Sequence, residues 1–118
     1  MKPLRKKRLE SNIVREIAEL IMRRRIKDER LGFVSVTGVN LAPDLSQMEV
    51  RVSLFSTDEN ENRITWQALK DNARWLQSEV SHNLRLRVTP RLYFELDTSI
   101  AEGDRILKLM DQDHPVDS

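Results

Sequence analysis

The stretch Leu84–Asp97, LRLRVTPRLYFELD, constrains the fold more than any other part of this sequence. After Pro90, apolar and polar residues alternate at every second position, which is the pattern of a half-buried strand. A proline fits at the start of such a strand, because its missing N–H group leaves no hydrogen bond unmade there. The basic residues Arg85 and Arg87 therefore lie where a helix meets a strand of a buried sheet, a favourable place to hold a phosphate chain.

Two further stretches, residues 33–41 and 48–54, also have the pattern of strands. In the first, the apolar parity shifts at Thr37–Gly38, which indicates a β-bulge. The turn signal Ala42-Pro43-Asp44 separates the two stretches and predicts that they pair as an antiparallel hairpin.

Apolar residues at steps of three and four predict helices at about 9–26, 58–83 and 100–110. The residues before position 9 are predicted to be a mobile basic lead-in, and Gly32 is predicted to stop the first helix. For the 58–83 stretch, two helices with a bend are an alternative to one long helix. The resulting order predicts an α+β fold with helices on one face of a small sheet. Residues 1–110 are expected to form one domain, and residues 111–118 a disordered acidic tail.

Composition excludes several classes of protein. The 118 residues include no cysteine, so disulfides, thiolate chemistry and cysteine-ligated metals are excluded. No apolar run approaches the roughly 20 residues that span a bilayer, and the charged N-terminus lacks the apolar part of a signal peptide. We therefore expect a soluble cytoplasmic protein that does not enter a membrane.

Charge is distributed unevenly along the chain. Residues 1–30 carry eleven Lys/Arg against five Asp/Glu, whereas residues 31–118 carry nine against fourteen. Basic N-terminal segments commonly bind polyanions, of which nucleic acid is the most common in a cytoplasm. A solvated helix face that keeps the protein in solution would have the same composition, and charge alone leaves both interpretations open.

No pattern of residues predicts catalysis. The histidines His82 and His114 fall on a helix surface and in the tail, and no HExxH, GxSxG or P-loop motif occurs. The three glycines are scattered, so no glycine-rich loop can hold a nucleotide, and we expect no cofactor and no metal. Trp66 and Trp75 could stack on bases, although a place in the core is the more common role.

Basic side chains are therefore the candidates for function, as contacts to RNA phosphates. Each contact of this kind adds a salt-dependent term to the affinity and positions the protein without reading bases. The candidate residues are Arg5, Lys6, Lys7, Arg8, Arg15, Arg23, Arg24, Arg25, Lys27, Arg30, Arg74, Arg85, Arg87 and Arg91.

Residues 26–55 and 84–110 resemble the bacterial ribosome-binding factor A family. The family pattern I-K-D-P-R-L-G falls on residues 26–32, with Glu29 in place of the proline. Its later pattern R-x-T-P-x-L-x-F-x-x-D-x-S, followed by G-x-x-I, falls on residues 87–106. Order and spacing are intact over nearly the whole chain.

The resemblance implies a type II KH-like domain of order α-β-β-α-kink-α-β with a C-terminal helix, in which helices back a three-stranded sheet. It also implies a non-catalytic assembly factor for the small (30S) ribosomal subunit. Such a factor binds 16S rRNA and neighbouring ribosomal proteins and supports late maturation and processing of the rRNA precursor, most of all in the cold. We expect a monomer. The alternative is a protein-interaction module whose basic face binds an acidic protein.

One departure from the family concerns the junction of two helices. An ordinary KH domain has a GxxG loop there, which this family replaces by an Ala-x-Gly kink. The matching residues are Asn72-Ala73-Arg74, so arginine stands at the position of the glycine. We expect a shallower kink or one held by tertiary packing alone, and hypothesise that Arg74 contacts a phosphate.

Overall fold

The computed structural model describes residues 2–97, which form three helices and a three-stranded sheet. The sheet order is β1-β2-β3, in which β1 and β2 are antiparallel and β2 and β3 are parallel. This is the predicted α+β class with the type II KH-like arrangement. The helix and tail predicted at 100–110 and 111–118 lie outside the described residues. In chain order the elements are α1 (Pro3–Met22), β1 (Val34–Leu41), β2 (Gln47–Leu54), α2 (Glu59–Asp71), α3 (Ala73–Asn83) and β3 (Arg91–Leu96).

A β-bulge interrupts β1 where the apolar parity shifts. Val36 pairs with Val52 and Gly38 pairs with Arg51, so Thr37 is an extra residue without a partner in the ladder. A shift of one residue moves side chains to the other face of a strand. The bulge therefore directs the apolar residues of both halves of β1 toward the core, and the predicted hairpin and bulge are confirmed.

One apolar core lies between the sheet and the helices, all of which cover the same face. The other face of the sheet is polar, because alternate residues of β2 and β3 point away from the helices. The buried members of the core with the lowest exposure are Ile13, Ile17, Leu41, Met48, Val50, Val52, Leu69, Leu76 and Val80.

The first helix begins earlier than predicted. α1 starts at Pro3, so most of the predicted mobile lead-in is helical and that prediction is wrong. Proline suits the first position of a helix, because its fixed φ is helical and its missing N–H group needs no partner there. The basic residues at positions 5–8 are therefore presented on a rigid helix.

The first helix also ends earlier than predicted, at Met22 rather than at residue 26. Arg24 has φ 52° and donates its backbone N–H to the carbonyl of Ile21 at 3.1 Å, while Arg25 donates to Leu20 at 3.0 Å. These two bonds form a Schellman motif, so Gly32 is not the residue that ends the helix. The arginines that follow Met22 therefore lie beyond the helix and not in its last turn.

The third helix ends in the same way. Arg85 has φ 53° and donates to His82 at 3.2 Å, while Leu86 donates to Ser81 at 2.9 Å. The left-handed conformation costs an L-residue about 1–2 kcal/mol, and glycine usually occupies this position. Two helices of the described chain are therefore each followed, two residues after the last helical residue, by an arginine in the strained left-handed conformation.

Gly32 has a packing role, and its replacement by alanine should destabilise the fold. Its N–H donates to the Oγ1 atom of the buried Thr65 at 3.0 Å, and an added Cβ would lie 2.9 Å from that atom. We expect Gly32→Ala to lower the free energy of unfolding by about 1–3 kcal/mol, the usual cost of overpacking. Urea denaturation measures this loss.

Gly38→Ala is the matched control for that substitution. A Cβ at Gly38 would meet the guanidinium of Arg51 at 2.8 Å, and this flexible side chain can move aside. We expect a change within about 0.5 kcal/mol. Equal losses in the two variants would contradict the assignment of a specific packing role to Gly32.

Candidate nucleic-acid interface

A groove runs between the α2–α3 junction and the outer edge of β3. Lys70, Arg74 and Gln77 line its helical wall, and Arg91 and Tyr93 line the wall formed by the sheet. Arg74 and Arg91, both predicted from the sequence, thus lie on one surface. Lys70 was missed, because it lies on α2 and Arg74 on α3, and helical spacing does not relate residues across the kink.

Two of the three cations lie over aromatic rings. The guanidinium of Arg91 is 5.1 Å from the centroid of the Tyr93 ring, and the ammonium of Lys70 is 6.0 Å from that of the Trp66 ring. Contacts of this kind contribute about 0.5–1 kcal/mol at exposed sites and favour one position of the cation. These two charges are therefore partly preorganised for an anionic ligand.

The carboxylates of Glu49 and Glu95 also line the groove, on the side of the sheet. The groove is therefore positive along its helical wall and mixed along its other wall. Gln77 connects the two walls, because its Oε1 atom accepts a hydrogen bond from the backbone N–H of Leu92 at 2.9 Å. This arrangement favours a phosphate beside the helices.

The kink between α2 and α3 is held by the side chain of Asn72. Its Nδ2 group donates to the carbonyl of Ala68 at 2.8 Å and to the Oδ2 atom of Asp28 at 2.9 Å. The contact with Asp28 spans 44 positions of the sequence and connects the kink to the loop after α1. Tertiary contacts therefore hold the kink, at which position 74 is an arginine and not a glycine.

Arg30, one of the predicted phosphate ligands, already has two carboxylate partners. Its guanidinium forms a bidentate pair with Asp28, at 2.7 and 3.0 Å, and contacts Asp71 at 3.0 Å. Hydrogen bonds from Arg30 hold the pKa of Asp28 well below its usual range, and the same bonds raise the pKa of Arg30. Bonds from Gln67 and then Arg30 also lower the pKa of Asp71. The structure thus favours a positioning role for Arg30 at the kink.

These shifts predict how the stability of the fold depends on pH. Because the pKa of Asp28 is lower in the folded than in the unfolded chain, its stabilising contribution is complete above about pH 4 and is lost as the pH falls through the folded value. We expect Asp28→Asn to lower the melting temperature at pH 7 and to converge with the wild type toward pH 2. Circular dichroism melts across this range measure the difference.

The neighbouring Glu29 supplies the control for that prediction. Its side chain is exposed and takes part in none of the ion pairs described within residues 2–97. We expect Glu29→Gln to match the melting temperature of the wild type at pH 7, where Asp28→Asn falls below it. If the curves for Asp28→Asn and the wild type stayed parallel down to pH 2, the pair with Arg30 would not be the cause of the pH dependence.

The other predicted residues lie outside the groove. Arg23 pairs with Glu19 at 3.1 Å, and Lys6 pairs with Glu10 at 3.8 Å. Arg85 lines a separate shallow hollow with His82, so the structure does not bring it to Arg91. On α1 the further predicted cations are Arg5, Lys7, Arg8 and Arg15, and in the loops they are Arg24, Arg25, Lys27 and Arg87, all of them exposed.

Two kinds of structural feature were sought among the described residues, a metal site and a membrane-spanning helix. Within residues 2–97, no group of three or more metal-ligating side chains could hold a metal ion. None of the helices in this part of the chain is both long and apolar enough to cross a membrane. The chemistry present in the groove is the attraction of guanidinium and ammonium groups for phosphate.

Comparison with known proteins gives a consistent set of relatives. The family model described as ribosome-binding factor A matches residues 5–110. A ribosome-binding factor A from Gloeobacter violaceus is 39% identical over 114 residues, which cover 95% of this chain and 88% of the relative.

Known structures with a similar fold carry the same family name. The crystal structure of ribosome-binding factor A from Thermus thermophilus is 32% identical, with a TM-score of 0.64, and the match covers 77% of this chain and 94% of that one. A homology model of the Thermus thermophilus factor, fitted into a cryo-EM map of a 30S–RbfA complex, is 32% identical with a TM-score of 0.65. That match covers 81% of this chain and all of the other.

Proposed function

The chain belongs to the ribosome-binding factor A family, and on this basis we propose that it binds the small ribosomal subunit as a non-catalytic assembly factor. The relative from Thermus thermophilus was fitted into a complex with the 30S subunit, which supports the same partner for this chain. The proposed ligand is 16S rRNA together with neighbouring ribosomal proteins, and the protein acts as a monomer in the cytoplasm.

The observation that carries this proposal is the convergence of Lys70, Arg74 and Arg91 on one groove beside the α2–α3 junction. In an ordinary KH domain the GxxG loop lies at this junction and clamps the backbone of about four nucleotides. Here Arg74 stands at the position of the family's glycine, so a side-chain cation supplements the approach of the backbone. Phosphates lie along the helices, and bases lie toward the edge of the sheet.

In the proposed mechanism, the protein acts by occupying its binding site on the RNA of the immature subunit. Contacts to phosphates position a protein on folded RNA without chemical change in either partner. By holding one conformation of the immature subunit, the factor supports late maturation and processing of the 16S precursor. This role matters most in the cold, because misfolded RNA helices melt less readily at low temperature.

Co-sedimentation with immature small subunits tests the proposal. We expect the purified protein to migrate with immature particles in a sucrose gradient, and expect the association to be lost after nuclease digestion of the rRNA. Failure to migrate with the particles would overturn the proposal. Association that survives complete digestion would instead indicate an acidic protein as the partner.

A further inference from the structure

The two tryptophans of this chain have different environments. Trp66 is 4% exposed and belongs to the core, whereas Trp75, on the first turn of α3, is 39% exposed. Trp75 lines a shallow hollow together with Arg25, Ile26 and Lys27 from the loop after α1. A partly exposed indole thus shares this hollow with two cationic residues.

This hollow is separate from the groove. Successive residues of a helix are rotated by about 100°, so Trp75 lies about 160° around α3 from Gln77, which lines the groove. Arg74 lies between these two directions, at one side of the helix. A ligand in the hollow therefore does not compete with a ligand in the groove, and one RNA chain that passes the kink could contact both.

Both walls of the hollow are held in place. The left-handed conformation of Arg24 ends α1 and reverses the chain, and Ile26 is then buried in the core between Arg25 and Lys27. On the other wall, Asn72 is fixed by its bonds to Asp28 and Ala68. Strained residues that persist in a fold often mark functional sites.

Within residues 2–97, the two cations of the hollow, Arg25 and Lys27, form no described ion pair. Both side chains are exposed. By contrast, Arg23 and Arg30, from the same segment, are paired with carboxylates. Exposed cations that share a hollow with an indole match the chemistry of a nucleotide, whose base can stack on the ring and whose phosphates can contact the cations.

We propose that Trp75, Arg25 and Lys27 form a second RNA site, which stacks one unpaired nucleotide. The inference deepens the proposed function, on which it rests, by specifying single-stranded RNA as the ligand of this hollow. In a duplex the faces of the bases are covered by their neighbours, so the indole selects an unpaired base.

The probe for this site is an RNA of about twenty nucleotides made of CA repeats, alone or annealed to its complement. We expect the single strand to quench the emission of Trp75, and expect Trp75→Leu to weaken binding about tenfold in fluorescence anisotropy. Trp75→Phe should retain most of the affinity, and the remaining Trp66 in that variant should show no quenching. The duplex should quench little.

The cations are tested by salt titration. We expect Arg25→Gln and Lys27→Gln each to reduce the slope of log affinity against log salt by about 0.7 for the single strand. Arg63→Gln, at an exposed position of α2 outside the hollow, is the matched control and should leave the slope unchanged.

Unchanged affinity of Trp75→Leu for the single strand, or equal quenching by the duplex, would overturn the inference. If the wild type migrated with immature subunits and Trp75→Leu bound the single strand with unchanged affinity, the second RNA site would be contradicted and the proposed function would be supported. If the single strand quenched Trp75 but the wild type did not migrate with immature subunits, the second RNA site would be supported and the proposed function would be contradicted. The melting temperature of each variant identifies any loss of folding.

Discussion

Replacement of Lys70, Arg74 and Arg91 together by glutamine should lower the affinity for immature small subunits by about two orders of magnitude at physiological salt. Each phosphate contact contributes a slope of about 0.9 in log affinity against log salt, so three lost contacts reduce the slope by about 2.7. The electrostatic contribution to the binding free energy is small near 1 M salt. The difference between variant and wild type should therefore grow steadily as the salt concentration falls.

The matched control for this triple variant removes three cations from α1, at Arg5, Lys7 and Arg8. These side chains lie on an exposed helix surface and not in the groove, so the loss of affinity should be much smaller. Gradient co-sedimentation at several salt concentrations measures both variants. Equal losses in the two would indicate that net charge alone drives binding, and a loss below threefold in the groove variant would remove the groove from the interface.

Ile17→Ala should be the most damaging of these substitutions for the fold. Ile17 is 0% exposed and lies in the core between α1 and the sheet. Truncation of a buried isoleucine to alanine removes apolar contacts and leaves a cavity, at a cost of about 2–5 kcal/mol. Small domains have a total stability of about 5–15 kcal/mol, so this loss is a large part of the whole.

Ile64→Ala is the control for the same chemical change. Ile64 lies on α2 and is 40% exposed, so its truncation should change the free energy of unfolding by less than about 1 kcal/mol. Urea denaturation with the m-value compared between variants measures both effects. Similar midpoints for the two variants would contradict the assignment of Ile17 to the core.

The strands were predictable from the sequence, since alternation is a local signal. Residues 47–54 and 91–96 alternate over their whole length, and the parity shift at Thr37–Gly38 marked the bulge. The C-terminal end of α1 was not predictable in the same way, whereas Pro3 is a recognisable signal for its start. Its C-terminus depends on Arg24 in a conformation that usually indicates glycine, so no residue type marked the boundary.

The candidate site was only partly predictable, because its geometry depends on distant contacts. Arg30 looked like a phosphate ligand in the sequence, but Asp71, far along the chain, compensates its charge together with Asp28. Asn72 holds the kink through a hydrogen bond to Asp28, and no local sequence pattern reveals this bond because the two residues are 44 positions apart. The sequence also left the roles of Trp66 and Trp75 open. The packing of α2 and α3 distinguishes them, because it buries Trp66 and leaves Trp75 partly exposed.

The parallel pairing of β2 with β3 also governs how the chain folds during its own synthesis. The two strands are neighbours in the sheet, but both α2 and α3 lie between them in the sequence. When only β1 and β2 have emerged from the ribosome, the edge of β2 that pairs with β3 is open. The apolar face of the hairpin also stays exposed in part until β3, which ends at Leu96, has emerged. Such late closure is slow and leaves the intermediate prone to aggregation, so a translational pause within α3 would prolong the most vulnerable stage of biogenesis.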